Sequence, residues 1–591
     1  MNGEEKLEIM RHSLAHIMAT AVVKLWPDVK LGIGPAVEDG FYYDFDMGDT
    51  KISEEDFPKI EKEMRKIITD KVDFVCSEKA YEEAVAWAKD NKHPYKLELI
   101  EELKEKKEPI VFYNSGDFTD LCVGPHMSNT GEVGAFKLIR IAGAYWRGNE
   151  KNPQLQRIYG VAFEKDSELK EYLSRLEEAK KRDHRKIGKE MDLFVTSELV
   201  GAGLPLFTPR GTILRDKLAD FSNELRERYG FERVWTPHIT KKELYEKSGH
   251  WAKFGEELFL VKSQETSDDF VMKPMNCPHH TRIYESQPRS YRELPVRYLE
   301  TTTVYRDEKS GELGGLSRVR SITQDDSHIF CKPEQIEDEI HNLMTAASEL
   351  YGTLGMSLRV RLSYRDDSDA YLGDKKQWES AQKQLKSAVE SAKMNYFEVE
   401  GEAAFYGPKI DFMTTDAIGR EYQVATVQLD FVQPGRFDLE YLDENGEKQT
   451  PVMIHCALLG SIERFLSVFI EHTFGKFPVW CAPEQIRIVK VKDAPEIDKF
   501  IANIMNLAKK KSIRITLDDS NNSVGKKIRN AEIAKVPYMI VLGEKEVESC
   551  KLPIRVRSDI SEGENNIEYD PKDLMDKIYT ETKLRASKSS L

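Results

Sequence analysis

The sequence predicts a multidomain chain of mixed α+β and α/β architecture, and three observations lead there. Its 591 residues correspond to several domains at roughly 100–200 residues each. A long, strongly charged stretch, "DSELKEYLSRLEEAKKRDHRKIGKEMDLF", separates two compositionally ordinary regions. The C-terminal part alternates strand-like and helix-like runs ("QIRIVKV", "KFIANIMNLAKK", "SIRITL", "PYMIVLG"), the pattern of a small α/β domain.

Taken in order, residues 1–164 mix helical patterns with the short strand-like runs "VDFVC", "PIVFY" and "FKLIRIAG", as an α+β domain does. Residues 165–190 read as a linker helix with one narrow apolar stripe, Leu169, Leu173 and Leu176. Residues 191–479 hold the Arg-rich strands and end in the Pro-punctuated "GKFPVWCAPEQ". Residues 480–591 form the α/β domain.

Composition excludes some classes. No run of about 18 apolar residues occurs, so no membrane span is expected. The opening "MNGEEKLEIMRHS" is too polar for a signal peptide. Seven scattered cysteines, an odd number, fit a reducing, cytoplasmic environment. The net charge of −15 argues against nonspecific polyanion binding. It leaves local basic clusters, such as Lys509, Lys510 and Lys511 or Lys526, Lys527 and Arg529, open as nucleic-acid contacts or plain solvated faces.

Neither a G-x-x-x-x-G-K-[ST] phosphate loop nor a G-x-G-x-x-G after a strand is present, so a nucleotide would have to be held by arginines. "RYLETTTVYRDEKSGELGGLSRVRSITQDDSHIFC" reads as strand, Gly-rich loop, strand. Arg306 closes the first strand, Arg318 opens the second, and Glu308 lies between them. Guanidinium forks match phosphate oxygens and stack on bases. Along the second strand one face carries Arg318, Arg320, Ile322, Gln324, Asp326, His328 and Phe330, neither an apolar core face nor an ordinary solvent face. "HCALLGSIERFLSVFIEHTFG" reads as an apolar helix with Glu463 and Arg464 in its middle, Ser461 and Arg464 sharing a face.

Cys277, in "VMKPMNCPHH", offers with His328 and His455 one thiolate and two imidazoles, ligand types that zinc takes. No two of them are close in sequence, and each is as readily a core residue. Near the start, "RHSLAH" places His12 and His16 four apart on one helical face, and "TDLCVGPH" adds Asp120, Cys122 and His126.

These stretches resemble the class II aminoacyl-tRNA synthetases. Arg306 with its loop to Arg318 resembles motif 2 of that class, "GSIERF" motif 3, and "ERVWTPHI" with Pro237 motif 1, which lies at the dimer interface there. "MKPMNCP", "GLSRVRSITQDDSHIFC", "EAAFYGPKIDF", "TVQLDF" and "VMIHCALLGSIERF" resemble the threonyl-tRNA synthetase family, and the resemblance covers essentially the whole chain. It implies an N-terminal α+β editing domain (1–164), a class II antiparallel-sheet catalytic core (191–479) and a C-terminal α/β anticodon-binding domain (480–591). "HxxxH" with "CxxxH", and "GPAVEDGFYYDF", resemble the editing domain shared with the alanyl enzymes.

The implied reaction joins L-threonine to tRNA(Thr) through a threonyl-adenylate made from ATP, with Mg²⁺ on the nucleotide. Cys277, His328 and His455 would hold one zinc ion per subunit, and Gln324, Asp326, Tyr406 and Gln428 would surround threonine. Arg306, Glu308, Arg318, Gln423, Ser461 and Arg464 would hold ATP, with Arg306, Arg464 and Lys409 catalytic. Serine lacks only a methyl, a difference of roughly 10–200-fold in selection. Hydrolysis of seryl-tRNA(Thr) by His12, His16, Asp120, Cys122 and His126, without a metal, is therefore expected. Asn521, Glu546 and Arg555 would read anticodon bases, and a homodimer is expected. Most bacterial members begin with a small ubiquitin-like domain, and from the opening at "EIMRHSLAH" a form without it is expected.

Overall fold

A computed structural model describes residues 3–149, 151–561 and 567–591. They divide into two compact units, Met1–Glu178 and Ala179–Leu591. Among the described residues no helix is long and apolar enough to cross a membrane.

The first unit is α+β. Its helix Gly3–Leu25 is buried on nearly every side from Met10 to Val22, because Leu14, Ile17 and Met18 pack with Phe41, Tyr43, Phe45, Ile60 and Ile158. Glu4 and Glu5 in its first turn and Lys24 in its last complement the helix dipole. An antiparallel sheet runs through Gly40–Asp46, Gln154–Phe163 and Ala135–Tyr145, and a second joins Phe74–Glu78, Val111–Ser115 and Phe118–Leu121. The buried helix carries His12 and His16. The last strand of the second sheet ends at Leu121, which delivers Asp120 and Cys122.

The second unit is built on an eight-stranded sheet. Its order is Glu232–Arg233, Val296–Tyr305, Ser321–Cys331, Val452–Ser461, Glu421–Asp430, Lys409–Thr415, Leu358–Tyr364 and Tyr396–Glu400. The inner pairings are antiparallel, and the two outermost are parallel. Residues of the helices Pro209–Arg228, Ile336–Thr353, Lys375–Ser391 and Ile462–Thr473 share one apolar core with the sheet. Between Gln324 and Asp326 the register against Val452–Ser461 shifts, a bulge of the kind that re-aims side chains beside functional sites.

Further along the chain, Ile515–Asp518, Ile486–Lys490 and Tyr538–Leu542 pair in parallel, with Leu552–Val556 antiparallel at their side. This is the arrangement that the strand–helix alternation predicts.

Three expectations need correction. The stretch from His455 to Ser461 is strand, and the helix begins only at Ile462. A central strand buried on both faces shows a continuous apolar run that periodicity cannot tell from a helix. Glu463 and Arg464 therefore stand in the first helical turn, and Ser461 is the cap whose hydroxyl accepts the Arg464 N–H. The second strand of the arginine hairpin starts at Ser321, so Arg318 and Arg320 precede the polar row and belong to the loop. The stretch expected as one linker helix is two helices, Asp166–Arg182 and His184–Glu190, broken where the Asp183 side chain accepts the Arg185 N–H.

Arg226 fastens the helix Pro209–Arg228 behind the polar strand. Fully buried, it donates to the carbonyls of Asp325 (2.5 Å) and Asp326 (3.1 Å), and to Asn223 Oδ1 (3.0 Å). It also lies 3.8 Å from the buried Asp325 carboxylate. Removing one partner of such a pair leaves an uncompensated buried charge, at a cost of about 3–5 kcal/mol. Arg226→Ala is expected to destabilise the second unit by that amount in denaturant titration; an unchanged midpoint would mean that the pair does not fasten the helix.

Candidate active sites

Three chain-distant residues meet at the start of the helix Cys277–Glu285 and on two neighbouring strands. The ligand atoms of Cys277, His328 and His455 all lie within 4.8 Å of one another, and all three residues are buried. Register explains the pair of histidines: His328 and His455 are direct partners across the sheet.

Their surroundings determine which nitrogen each imidazole presents. His455 Nε2 donates to Asp430 Oδ2 at 2.9 Å, leaving Nδ1 bare. His280 Nε2 donates to Glu300 Oε2 at 3.2 Å, so its Nδ1 accepts from His328 Nδ1 at 2.8 Å. That leaves His328 Nε2 bare. Burial raises the Glu300 carboxyl, but hydrogen bonds from His280 and Thr236 and the charge of Lys273 outweigh it and hold the group below its ordinary value. The two bare nitrogens face each other at 3.0 Å, and Cys277 Sγ, reached by Gln433 Nε2 at 3.9 Å, completes the set. Burial pushes the Cys277 thiol far up and His328 far down. Two opposed lone pairs beside a buried thiol fit a cation that takes one thiolate and two imidazoles, as zinc does.

Asp326 lies at the edge of this centre, its Oδ1 3.7 Å from His328 Nε2 and its Oδ2 accepting from Asn276 at 3.0 Å. Tyr406 stacks on the His455 ring, centroids 4.9 Å apart, and donates to Gln428 Oε1. Gly407 permits that turn, since an added Cβ would stand 1.7 Å from the Leu429 carbonyl oxygen. Tyr406, Lys409 and Gln428 line a cavity of about 400 Å³ together with Phe254 and Met275.

A larger cavity, about 630 Å³, is lined by Arg306, Glu308, Arg318, Gln324, Gln423, Ser461 and Arg464. The structure thus brings together every residue expected around ATP. Glu308 holds Arg318 (Nε 2.8 Å), which also pairs with Glu312 at 2.6 Å. Arg306 is deeply set, and its Nε has no partner, a donor disposed toward an anion. Burial lowers the affinity of its guanidinium for the proton, with Glu308 and Glu257 opposing. Lys409 faces the smaller cavity. It lies 3.1 Å from Asp411 Oδ2, while Asp411 Oδ1 accepts from Gln423 at 2.7 Å, so one buried carboxylate steadies both.

In the first unit His12, His126 and Cys122 converge. Cys122 Sγ lies 3.2 Å from His12 Nε2 and 3.3 Å from His126 Nε2. His12 Nδ1 donates to the Pro125 carbonyl. The Ser13 hydroxyl donates to Ile9 O, and its oxygen accepts from Met127 N–H and His126 Nδ1. Both Nε2 lone pairs therefore point at a thiol with a single proton, which leaves one lone pair able to take a proton from water. Burial drives His12 down, His16 far down and His126 to about 2, and lifts Cys122 to about 11. The imidazoles are uncharged at neutral pH. His16 Nε2 stands 3.6 Å from Asp120 Oδ2. Asp120 is neutralised by Lys96 at 2.7 Å and accepts from the Tyr43 hydroxyl. The same donors could hold a metal ion.

Asn521 follows the strand Ile515–Asp518, and Glu546 lies in the helix that follows Tyr538–Leu542, where its carboxylate accepts the Gly543 N–H. Both occupy the C-terminal ends of parallel strands, where α/β sheets bind ligands. Arg555 is exposed on Leu552–Val556, in register with Met539, and so sits nearer the other end of the sheet.

Several residues here escaped the sequence reading: Lys96, Tyr43 and Ser13 in the first unit, and His280, Glu300, Asp411, Asp430 and Gln433 in the second. Ser13, Tyr43, His280, Glu300, Asp411 and Asp430 stand inside the quoted stretches, so their neighbourhood was marked though their roles were not. Lys96 carries no such mark.

Comparison with known proteins identifies three parts. Residues 259–473 match the model of the tRNA synthetase class II core domain (G, H, P, S and T), residues 110–159 that of the threonyl and alanyl tRNA synthetase second additional domain, and residues 485–580 an anticodon binding domain. A threonine–tRNA ligase of Gloeobacter violaceus is 49% identical over 562 residues, 94% of this chain and 89% of that protein. Its counterpart from Cytophaga hutchinsonii is 46% identical over 558 residues, 94% and 86% respectively. The crystal structure of the RNA binding domain of threonyl-tRNA synthetase from Cryptosporidium parvum matches with a TM-score of 0.63 at 35% identity, covering 69% of this chain and 99% of that one.

The hydrogen-bond relay to Glu300 should be measurable in metal affinity, since loss of such an outer partner typically costs 10–100-fold. Once loaded with zinc, His280→Ala and Glu300→Gln are expected to surrender it to a chelator about 10–100-fold more readily than the zinc-loaded parent. Equal retention would mean that the relay does not orient His328.

Proposed function

The chain belongs to the threonyl-tRNA synthetase family, and from that premise we propose how its own residues carry out aminoacylation and editing. It is a threonine–tRNA ligase with a class II core, an editing domain and an anticodon-binding domain.

One observation carries the assignment of roles: a single strand runs from the arginine-lined cavity to the Cys–His–His centre. Gln324 lines that cavity and His328 belongs to the centre, four residues or about 13 Å apart along an extended strand. ATP lies in the cavity with its phosphates against Arg306 and Arg464, its charge shared with Mg²⁺, and with Glu308, Arg318, Gln423 and Ser461 around it. Threonine lies between Gln324, Asp326, Tyr406, Gln428 and the centre, its carboxylate toward the nucleotide. Zinc, held by Cys277, His328 and His455, would act there as a Lewis acid toward the amino and hydroxyl groups. A carboxylate oxygen of threonine attacks the α-phosphorus, the bond to the bridging oxygen breaks, and pyrophosphate leaves. Arg306 and Arg464 stabilise the charge that spreads over the phosphate oxygens, and Lys409, steadied by Asp411, orients the amino acid. This is catalysis by positioning and electrostatics. The tRNA 3′-terminal ribose hydroxyl then displaces AMP.

Specificity follows from the polar pocket. Valine would leave Asp326 and the metal unsatisfied and be rejected strongly, whereas serine differs by a methyl, worth about 1–3 kcal/mol. We assign the remaining discrimination to the first unit. A water gives a proton to His12, while His126 accepts from the Cys122 thiol, and attacks the seryl ester carbonyl. The ester bond breaks, and the proton passes to the departing ribose oxygen. His16, Cys122 and the Asp120–Lys96 pair shape the pocket.

Residues 1–164 would be the editing domain, 165–190 the linker, 191–479 the catalytic domain and 480–591 the anticodon domain, where Asn521, Glu546 and Arg555 contact unstacked bases. The exposed Trp235 beside Pro237, 74% accessible, supports a homodimer through motif 1. A reducing, cytoplasmic location fits seven cysteines with no disulfide among them.

Amino-acid-dependent pyrophosphate exchange tests the synthetic site. Threonine should exceed serine by about 10–200-fold and valine by about 10⁴-fold or more, and Arg464→Ala should slow exchange about 10²–10³-fold while leaving it measurable; threonine failing to exceed serine would refute the assignment. For the first unit, His12→Ala with Cys122→Ala should abolish deacylation of seryl-tRNA(Thr) and leave exchange untouched. Undiminished deacylation would place editing elsewhere.

A further inference from the structure

We infer that His184 is a positioning residue for the nucleotide-binding loop: its Nε2 accepts the Leu316 N–H and so holds Ser317 and Arg318 toward the larger cavity. The inference rests on reading that cavity as the ATP site.

His184 opens the short helix His184–Glu190 and is buried. Its Nδ1 lies 2.7 Å from Glu471 Oε1, which also accepts the His184 backbone N–H at 3.0 Å. A carboxylate can only accept, so Nδ1 carries the proton and Nε2 presents a lone pair. Leu316 N–H meets that lone pair at 3.0 Å. The loop is shaped for this approach. Gly315 takes φ +59°, and a Cβ there would stand 2.4 Å from His184 Nε2. Immediately beyond, Ser317 and Arg318 line the cavity, and Leu316 is fully buried.

Glu471 is itself held, at the far end of the motif 3 helix Ile462–Thr473. Arg420 Nη2 reaches its Oε2 at 2.6 Å, and Arg182 donates to the Glu471 and His472 carbonyls. One imidazole thus bridges the helix that bears Arg464 and the loop that bears Arg318. Asp183, His184 and Glu471 also have the composition of a metal site. Both nitrogens of His184 are already engaged, Glu471 is paired with Arg420, and Asp183 is paired with Arg185 at 2.5 Å, so a positioning role accounts for all three.

The test is steady-state pyrophosphate exchange by the full chain, with ATP and threonine varied separately, for His184→Ala, His184→Gln and Arg464→Ala. Losing one hydrogen bond from the loop should raise the KM for ATP about three- to tenfold in His184→Ala, with the KM for threonine changed less than about twofold. In His184→Gln an amide oxygen can accept the same N–H, and the KM for ATP should return most of the way to the parent. Thermal melting of each variant separates loop positioning from loss of folding. An unchanged KM for ATP in His184→Ala, or equal damage to both KM values in the Ala and Gln variants, would overturn the inference. If Arg464→Ala also leaves both kcat and the KM for ATP unchanged, the cavity is not the nucleotide site and the inference falls with it; if only His184→Ala is silent, the cavity reading stands and the clamp alone is wrong.

Discussion

A strand that buries Asp325, Ser327 and His328 and half-buries Asp326 can exist in a sheet core only if every polar group meets a partner, because an unpaired buried charge or lone pair costs several kcal/mol. Much of the second unit is arranged to supply those partners. Behind the strand, the Ser222 hydroxyl (2.5 Å) and the Leu459 N–H (2.9 Å) both donate to Asp325 Oδ2, while Arg226 covers the carbonyls. In front, Asn276, His280 and His455 converge on Asp326 and His328. What the protein does not supply is a partner for the two bare nitrogens of His328 and His455. On the proposed reading that deficit is where a metal would sit, and the amino acid's polar groups would then have a site adjoining Asp326; Asp325 Oδ1 and Asn276 Oδ1 also lack a hydrogen-bond partner.

The same economy of protons appears in the first unit. Asp120 is buried, yet Lys96 and Tyr43 satisfy it, which lets the neighbouring His16 remain uncharged in a dry pocket. Three imidazoles held below their ordinary range stay neutral, so their bare nitrogens can accept a hydrogen bond from water but take its proton less readily than a free imidazole does. Lowering the pH works against this arrangement. The unfolded chain binds protons at its histidines below about pH 6.5 while folded His126 does not until about 2, so protonation favours unfolding across that interval.

What the sequence made readable, and what it hid, divides along physical lines. Strand alternation was enough to find the polar row from Ile322 to Phe330, since period-two patterning survives wherever one face is specified. The hairpin arginines were equally plain, though the loop takes Arg318 and Arg320 off the strand. The reading of His455 to Ser461 as helix failed because a strand covered on both faces has no alternation to show. Cys277, His328 and His455 carried the right chemistry without spacing, and only the family resemblance joined them; the cross-strand register of His328 with His455 is a tertiary fact. Lys96 lies in "HPYKLELIEELKEKK", where nothing sets it apart from Lys104, Lys106 or Lys107. Its distinction is burial, which depends on what packs above it.

The most direct measurement is equilibrium binding of threonine to the full chain, by calorimetry, with zinc loaded and after removal by a chelator, beside binding of ATP under the same two conditions. If the polar strand joins a metal-dependent amino-acid site to an arginine-dependent nucleotide site, removal of zinc abolishes threonine binding and leaves ATP binding within about twofold. Threonine binding that survives removal of the metal would contradict the assignment of the Cys277–His328–His455 centre to amino-acid recognition.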